Sequence, residues 1–158
     1  MHRFYIILLI LMASSIFGQE DSNAYQRNHE LFEKYLKLSN DEQFPLKERK
    51  AFAEKTIQLA KLLDEPVKTI NAHTRYVYIL SQEGQYSKAF EVFKRVNEIS
   101  DSIGYQTADD WRRKAFFLNV EGILYKELAI YDKSVNAYYA SLSISDSLGW
   151  KTGQSTAI

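Results

Sequence analysis

The sequence predicts an all-α protein built from antiparallel helix pairs that stack side by side, and three observations support this. The 158-residue chain has only two prolines and six glycines, which suits long helices and is poor in turn residues for an all-β fold. Nearly the same seven residues occur twice, 45 positions apart: ISDSIGY from position 99 and ISDSLGW from position 144. Apolar residues before both copies recur every three or four positions, which is the spacing of an amphipathic helix.

Residues 1–18 have the order of a secretory signal peptide, with a basic start, an apolar run over Phe4–Met12 and small residues up to Gly18. The apolar run is too short to cross a bilayer, which needs about 20 residues. A buried N-terminal helix or an uncleaved anchor are the alternatives, and cleavage after Ser15 or after Gly18 fits equally well. We therefore predict a mature chain, residues 19–158, that is exported to the periplasm or to the outside of the cell.

Composition excludes several classes of function. The 20 basic and 20 acidic side chains cancel, so no net charge attracts the chain to nucleic acid or to an anionic membrane. The chain has no cysteine, which excludes disulfides, thiolate metal sites, cysteine nucleophiles and a lipidated N-terminal cysteine. Beyond the signal peptide we expect no transmembrane segment.

The first helix pair is predicted over 23–64. Residues 23–38 form its first helix, 39–46 form a loop that contains a proline, and 47–64 form the second helix with apolar residues spaced for burial. Pro66 then begins the next unit, since proline suits the first turn of a helix. This unit matches the later ones weakly, as expected for a terminal repeat that caps a stack.

The repeated phrase lies at the end of two matching segments, 86–105 and 131–150, which are identical at seven of twenty positions. Both segments have the apolar spacing of one helix. Gly104 and Gly149 follow the last apolar position of each, where glycine readily adopts the left-handed conformation that ends a helix. We predict that both helices end in this way.

A helical segment also precedes each copy, over 68–84 and over 112–131. Each unit is therefore a helix, a tight turn and a second helix, and a short turn makes the two helices antiparallel neighbours. The second and third units are predicted over 66–104 and 105–149, and a fourth unit begins at 150. One helix pair cannot bury its apolar faces alone, so stacked pairs share a core between neighbours.

These features resemble the tetratricopeptide repeat (TPR) family in a long-unit form, over roughly residues 23–158. The chain departs from the family in its 45-residue unit, against the usual ~34, and in having serine at 134 and 141 where alanine is commoner. The resemblance implies a right-handed superhelix, or α-solenoid. The positions that match the family's turn, small and aromatic residues are Gly84, Tyr86, Ala89, Phe93, Gly122, Tyr125, Ala129, Tyr131, Ser134 and Tyr138.

The resemblance also implies a concave groove lined by the first helix of each unit, suited to an extended protein or peptide partner. The second unit would supply Asn71, Thr74, Tyr78, Ser81 and Gln82. The third would supply Phe116, Asn119, Ile123, Lys126 and Glu127.

The sequence contains no pattern typical of catalysis. His29 lies in NHELFEKY, which begins like a zinc protease motif but lacks the second histidine, and His73 lies alone in mid-helix. The acidic pairs fall at helix ends or loops, where carboxylates favour the positive N-terminus of a helix. The repeated Ser-Asp-Ser fits local hydrogen bonding around a helix end. We predict no enzyme activity, no metal and no cofactor.

Two functions remain open from the sequence. The first is an exported scaffold that binds a protein or peptide and has no catalysis of its own. The second is the N-terminal extracytoplasmic sensory fragment of a longer signalling protein, a histidine kinase or a transcription regulator. The signal-plus-repeat beginning resembles the exported N-terminal part of such Bacteroidetes-type TPR proteins.

Overall fold

The structure is a computed structural model that describes residues 22–151 and residue 153, and this part of the chain is helical without any strand. The all-α prediction is therefore confirmed for the described residues. The predicted signal peptide over 1–18 and most of the predicted fourth unit lie outside them. The helices are α1 over 22–40, α2 over Leu46–Leu63, α3 over Pro66–Gln82, α4 over Tyr86–Ser102, α5 over Ala108–Glu127 and α6 over Tyr131–Ser147.

The helices pack mainly against their neighbours along the chain. Helix α3 packs on α2 and α4, and α5 packs on α4 and α6, while α3 also contacts α5 directly. Within the described part of the chain, the backbone of α2 approaches neither α5 nor α6, and α3 does not approach α6. Helix α1 packs against α2 and α3 in a small apolar cluster formed by Phe32, Leu36, Ala60, Leu63 and Ala72.

The core between the second and third helix pairs is built from aromatic and aliphatic side chains. Phe93 of α4 stacks on Phe117 of α5 with ring centroids 5.0 Å apart. Leu80 of α3 and Leu124 of α5 are fully buried in the same cluster. Each such side chain stabilises the fold by about 1.5–3 kcal/mol when it leaves water, so this cluster joins the two pairs.

The 45-residue repeat is visible in the helix ends and in the buried positions. Helices α4 and α6 each have 17 residues, and their first and last residues are 45 positions apart. Buried positions 89, 96 and 100 of α4 match buried positions 134, 141 and 145 of α6. The two copies of Ser-Asp-Ser both end a helix, and in each the last serine hydroxyl donates to the carbonyl three residues earlier, at 2.7 Å from Ser102 and 2.8 Å from Ser147.

The turns inside the second and third pairs are also alike. Gly84 has φ 72° and Ala129, 45 positions later, has φ 59°. After Gly84, the Gln85 N–H donates to the Leu80 carbonyl at 2.9 Å, and after Ala129 the next N–H makes the matching bond at 2.8 Å. This helix end is a Schellman motif, which needs one residue in the left-handed region. Glycine adopts that conformation without strain, and alanine does not.

The predicted left-handed helix end is confirmed at Gly149, which has φ 60°, and is wrong at Gly104, which does not have a positive φ. Helix α4 instead ends at Ile103 with extended backbone, φ −103° and ψ 150°. The extended chain leads to Thr107, whose hydroxyl accepts from the Asp110 N–H while the Asp110 carboxylate accepts from the Thr107 N–H. This capping box starts α5 and takes the place of a glycine turn.

The serines at 134 and 141 hydrogen-bond to the neighbouring helix. The Ser134 hydroxyl donates to the Gly122 carbonyl at 2.8 Å and the Ser141 hydroxyl donates to the Ala115 carbonyl at 2.7 Å. Both serines are buried. They therefore keep the small size that close packing needs and satisfy their own hydroxyls in doing so.

Candidate binding groove

Two adjoining depressions form a groove and share Asn40, Arg75 and Phe116. The groove is lined by residues from the end of α1, the loop that follows it, α2, α3 and α5, and by Trp150. The inner depression has a volume of about 410 Å³ and is lined by Asn40, Glu42, Arg49, Arg75, Tyr78, Phe116, Asn119 and Ile123. The outer depression has a volume of about 310 Å³ and is lined by Leu36, Asn40, Asn71, Arg75, Asp109, Arg112, Arg113, Phe116 and Trp150.

Arg75 occupies the centre of the groove, since it lines both depressions. Its guanidinium carbon lies 5.2 Å from the Tyr78 ring centroid and 4.7 Å from the Phe116 ring centroid, a cation–π arrangement with both. The Arg75 Nε atom is buried and has no hydrogen-bond partner among the described residues. Burial lowers the pKa of Arg75 to about 10, so the side chain still carries its charge at neutral pH.

Asn119 supplies a second unsatisfied polar atom in the inner depression. The residue is only 6% exposed, and its Oδ1 atom is buried without a hydrogen-bond partner in the described part of the chain. An amide oxygen is an acceptor only, so a ligand atom that reaches it must be a donor.

A second arginine, Arg49, lines the inner depression together with Arg75. Arg49, in the first turn of α2, is 6% exposed, and its Nε donates to the Ser39 carbonyl at 3.2 Å. This bond ties the start of α2 to the end of α1. Burial is the main cause of the lowered pKa of Arg75. The Arg49 charge also lowers it, whereas Tyr78 and Glu42 act in the opposite direction.

The lining of the outer depression contains an ion pair between two of its own residues. Arg113 and Asp109, one turn apart on α5, form an ion pair at 2.7 Å. Arg112 is exposed at the same edge. Across both depressions, the lining has four arginines and two carboxylates although the whole chain has no net charge. The groove is therefore a locally basic surface.

The structure brings together five of the ten residues that the sequence placed in a groove, namely Asn71, Tyr78, Phe116, Asn119 and Ile123. Thr74 and Ser81 are buried, and their hydroxyls donate to the Ile70 and Tyr78 carbonyls of α3 at 2.7 Å each. The exposed Gln82 donates to the Tyr78 hydroxyl at 3.2 Å. The exposed Lys126 and Glu127 lie beside each other at 3.5 Å, beyond the lining of either depression.

Sequence reasoning missed Arg75 and Arg49. The signal for Arg75 was present, since it follows Asn71 by four residues and so lies on the same face of α3. Arg49 had no such signal, because it belongs to a second helix of a pair and enters the groove only through the packing of α1 on α2.

A smaller cleft of about 200 Å³ lies between α2, α3 and α4, with His73 and Arg95 in an otherwise mostly apolar lining. The His73 Nδ1 atom lies 2.8 Å from the Thr69 carbonyl oxygen. Burial lowers the pKa of His73. His29 contacts the Tyr25 ring at a centroid distance of 6.3 Å. In the part of the chain that the structure describes, no three His, Asp or Glu side chains come together as a metal site.

Comparison of the chain with protein-family models, with curated proteins and with solved structures finds no match. None of the helices over the described ranges has both the length and the apolar character needed to cross a membrane.

Proposed function

We propose that this chain is a TPR-like repeat scaffold, exported from the cytoplasm and without catalysis of its own, that binds an extended segment of a partner protein in the groove. The observation that carries the proposal is the groove itself. It joins side chains from successive helix pairs that share one position in the repeat, such as Asn71 and Phe116, which are 45 residues apart.

The 45-residue correspondence supports the proposed stacking of like units in a right-handed superhelix. Five buried positions of α3 (70, 72, 74, 77 and 79) match five buried positions of α5 (115, 117, 119, 122 and 124). The same face of the first helix is therefore buried in both units, as expected if like units stack in a solenoid.

The lining suits an extended peptide. The Tyr78 and Phe116 side chains in the lining offer apolar contact, while Asn71, Arg75 and Asn119 offer hydrogen bonds along the same surface. A site of this kind binds by burial of a few anchors and by polar groups that fix direction.

Panning a random peptide library on the purified chain tests this function. We expect enriched peptides whose affinity falls about tenfold or more in Phe116→Ala and is unchanged in Tyr139→Ala, because loss of a buried aromatic anchor exceeds about 1.4 kcal/mol. Tyr139 is a matched control, since it is 67% exposed on α6 and does not line the groove. Failure to enrich any peptide, or equal loss in both variants, would contradict the proposal.

A second candidate is that the same domain is the sensory part of a longer signalling protein. The outer face of α6 favours it, because Tyr131, Val135 and Tyr139 are each about half exposed or more. Phe90 occupies the position of Val135 in the preceding unit. Its ring packs edge-on against the Tyr125 ring of α5, with ring centroids 6.2 Å apart. A further helix pair would cover Val135 in the same way. The nucleotide sequence that follows codon 158 tests this, since a transmembrane segment and a kinase domain would support it and an immediate stop would oppose it.

A further inference from the structure

We propose that the cleft between α2, α3 and α4 binds a small apolar monocarboxylate, whose apolar body contacts Ile57 and Val92 and whose carboxylate is held by His73 and Arg95. The ligand is a free aliphatic or aromatic acid. The cleft is separate from the groove, so the inference goes beyond the proposed peptide-binding function and does not depend on it.

The cleft lies on the face of α3 opposite to the groove. Its α3 residues Thr69, His73 and Tyr76 are spaced by four and three positions, so they share one face of the helix. Asn71 and Arg75, which line the groove, follow Thr69 and His73 by two positions each, a rotation of about 200° around the helix axis. The lining of the cleft and the lining of the groove have no residue in common.

The cleft lies where α2 and α4 both pack on α3 while their backbones, in the described part of the chain, do not approach each other. Thr69, on the α3 side, has a short side chain. The equivalent position of the next unit is Lys114, whose ammonium group donates to the Ser100 hydroxyl of α4 at 2.8 Å. A long side chain therefore extends from the first helix of the third unit to the preceding helix, whereas Thr69 leaves the corresponding space open in the second unit.

The walls of the cleft suit the apolar body of a small molecule. They are formed mainly by Ile57, Tyr76, Val92, Val96 and Ile99. Ile57, Val92 and Ile99 are only half-buried, so apolar surface is in contact with water when the cleft is empty, and a ligand that covers it is favoured. The volume is about 200 Å³. At about 30 Å³ for each displaced water, a ligand of about seven to nine non-hydrogen atoms fits.

His73 supplies a ring nitrogen that can bind an anion. Its Nδ1 atom lies 2.8 Å from the Thr69 carbonyl oxygen, and because a carbonyl only accepts, Nδ1 carries a hydrogen. Nε2 is therefore an acceptor in the neutral ring and a donor in the imidazolium. Burial is the main cause that lowers the pKa of His73, and the Lys61 charge lowers it further. A carboxylate beside the ring favours the imidazolium, so its binding takes up a proton at Nε2.

The charged side chains that act on His73 or line the cleft with it are cationic. Lys61 of α2 acts on the ring, and Arg95 of α4 is the charged residue of the lining. Glu54 of α2 accepts from the Tyr76 hydroxyl at 3.4 Å, but it is not among the groups that shift the pKa of His73. A ligand with a negative charge therefore meets attraction from both α2 and α4.

Arg95 has its guanidinium available for a ligand. Its exposed acidic neighbours on α4, Glu91 and Glu98, do not pair with it, and over the described residues Arg95 forms no ion pair. A guanidinium presents its N–H groups as a fork that matches a planar carboxylate. An acid with an apolar body thus matches both the charge and the walls of the cleft, whereas a neutral amide of the same shape matches only the walls.

A nuclear magnetic resonance titration of the isotope-labelled chain tests the proposal with benzoate, hexanoate, their amides and acetate. We expect benzoate or hexanoate to bind about tenfold tighter than its own amide, as for a charge-assisted hydrogen bond, and about tenfold tighter than acetate, which lacks the apolar body. Backbone amide shifts should concentrate in α3 and α4 around His73 and Arg95. Equal affinity for acid and amide, no saturable binding, or shifts confined to the groove would overturn the inference.

One pair of variants tests the carboxylate contact. Arg95→Met should weaken benzoate or hexanoate about tenfold and leave the affinity for the amide unchanged, because only the charged contact is lost. Arg95 is exposed, so its replacement should not disturb the fold. Arg27→Met is the matched control, since Arg27 is an exposed residue of α1 that lines neither the cleft nor the groove. Equal acid affinity in both variants would remove Arg95 from the site.

A second pair tests the position of the apolar body. Val92→Phe fills the cleft and should weaken both the acid and its amide, with circular dichroism used to show that the fold is retained. Val135→Phe makes the same change on the exposed face of α6, where Val135 is 48% exposed, and should have no effect. Unchanged binding in a folded Val92→Phe variant would place the ligand outside the cleft and overturn the inference.

The titration of His73 gives a readout that a purely structural role of the cleft would not change. Saturating benzoate or hexanoate should raise the pKa of His73 by about one unit, read from its imidazole proton shifts, and leave that of His29 unchanged. His73→Gln assigns the signal. Affinity for the acid should rise as the pH falls from about 7.5 to about 5.5, because the bound chain holds the proton more tightly than the free chain. An unchanged pKa of His73 in the saturated complex would refute the proposed carboxylate position.

Discussion

The Tyr138 ring of α6 lies directly against the backbone of Gly122 in α5. A Cβ atom at residue 122 would be 2.6 Å from the Tyr138 Cε1 atom and 2.7 Å from the Cδ1 atom, which is closer than non-bonded carbon atoms approach each other. The Ser134 hydroxyl donates to the Gly122 carbonyl one turn before Tyr138 on the same face of α6. The absence of a side chain at 122 therefore sets the distance between the two helices of the third pair.

Gly122→Ala is expected to lower the free energy of unfolding by about 1–3 kcal/mol, because the added methyl group forces the Tyr138 ring or α6 to move. Helix propensity alone would give the opposite sign, a gain of about 1 kcal/mol. Urea unfolding measures the difference. Gly104→Ala is the matched control, since a Cβ atom added at Gly104 would have nothing within 4 Å and the φ of this residue is not positive. A Gly122→Ala variant as stable as the wild type would refute the close-packing account.

Ala129→Gly is expected to raise stability by about 1 kcal/mol. Ala129 has φ 59°, and the left-handed conformation is unfavourable for a residue with a Cβ atom by about that amount. Gly84→Ala makes the reciprocal change at the equivalent turn and should lower stability by a similar amount, because Gly84 has φ 72°. Thermal or urea unfolding of both variants checks the pair. If both substitutions change stability in the same direction, the two turns are not equivalent.

Asn119→Leu is expected to stabilise the unliganded chain by about 1 kcal/mol, because it removes a buried amide oxygen that has no partner in the described residues. Ser141→Ala is the contrasting change, since the Ser141 hydroxyl has a partner at 2.7 Å and its loss should destabilise by a similar amount. Differential scanning calorimetry compares the two. Destabilisation by Asn119→Leu would show that the amide oxygen is satisfied in solution, for instance by water.

Stability is expected to fall as the pH is lowered through about 6.5, in part because of His73. Burial holds the pKa of His73 in the folded chain below its ordinary value of 6.5. As the pH falls, His73 is therefore protonated in the unfolded chain before it is protonated in the folded chain. The free energy of unfolding decreases over this range and stops changing once the pH is below the folded pKa of His73. His73→Gln should lose less stability than the wild type between about pH 7.5 and 5.5, measured by urea unfolding at each pH. Parallel pH profiles for the two proteins would contradict this.

The sequence predicted the groove only in part. Equivalent positions of successive first helices placed Asn71 and Phe116 on one surface, and both line the outer depression. Thr74 and Ser81 were placed there as well, but they face inward and donate to the backbone of their own helix. Spacing alone assigns a residue to a broad helix face, and packing against neighbours decides which edge of that face is covered.

The ends of α4 and α6 show the same division. Their sequences are nearly identical over seven residues, yet Gly149 has a positive φ and Gly104 does not. The capping box at Thr107 and Asp110, downstream of the repeated phrase, starts α5 and replaces the glycine turn. The shared local motif therefore ends both helices but does not determine the backbone conformation of the residues that follow.

Helix pairing, the 45-residue unit and the position of the buried face follow from the sequence, because they depend on spacing within one helix and on recurrence between units. The juxtaposition of Arg49 with Arg75, and the isolation of the Asn119 amide oxygen, depend on how α1, α2, α3 and α5 pack together. Such contacts between residues distant in the chain have no local periodic signature. The helical scaffold is thus determined locally, whereas the charge and hydrogen-bonding character of its groove arises only on folding.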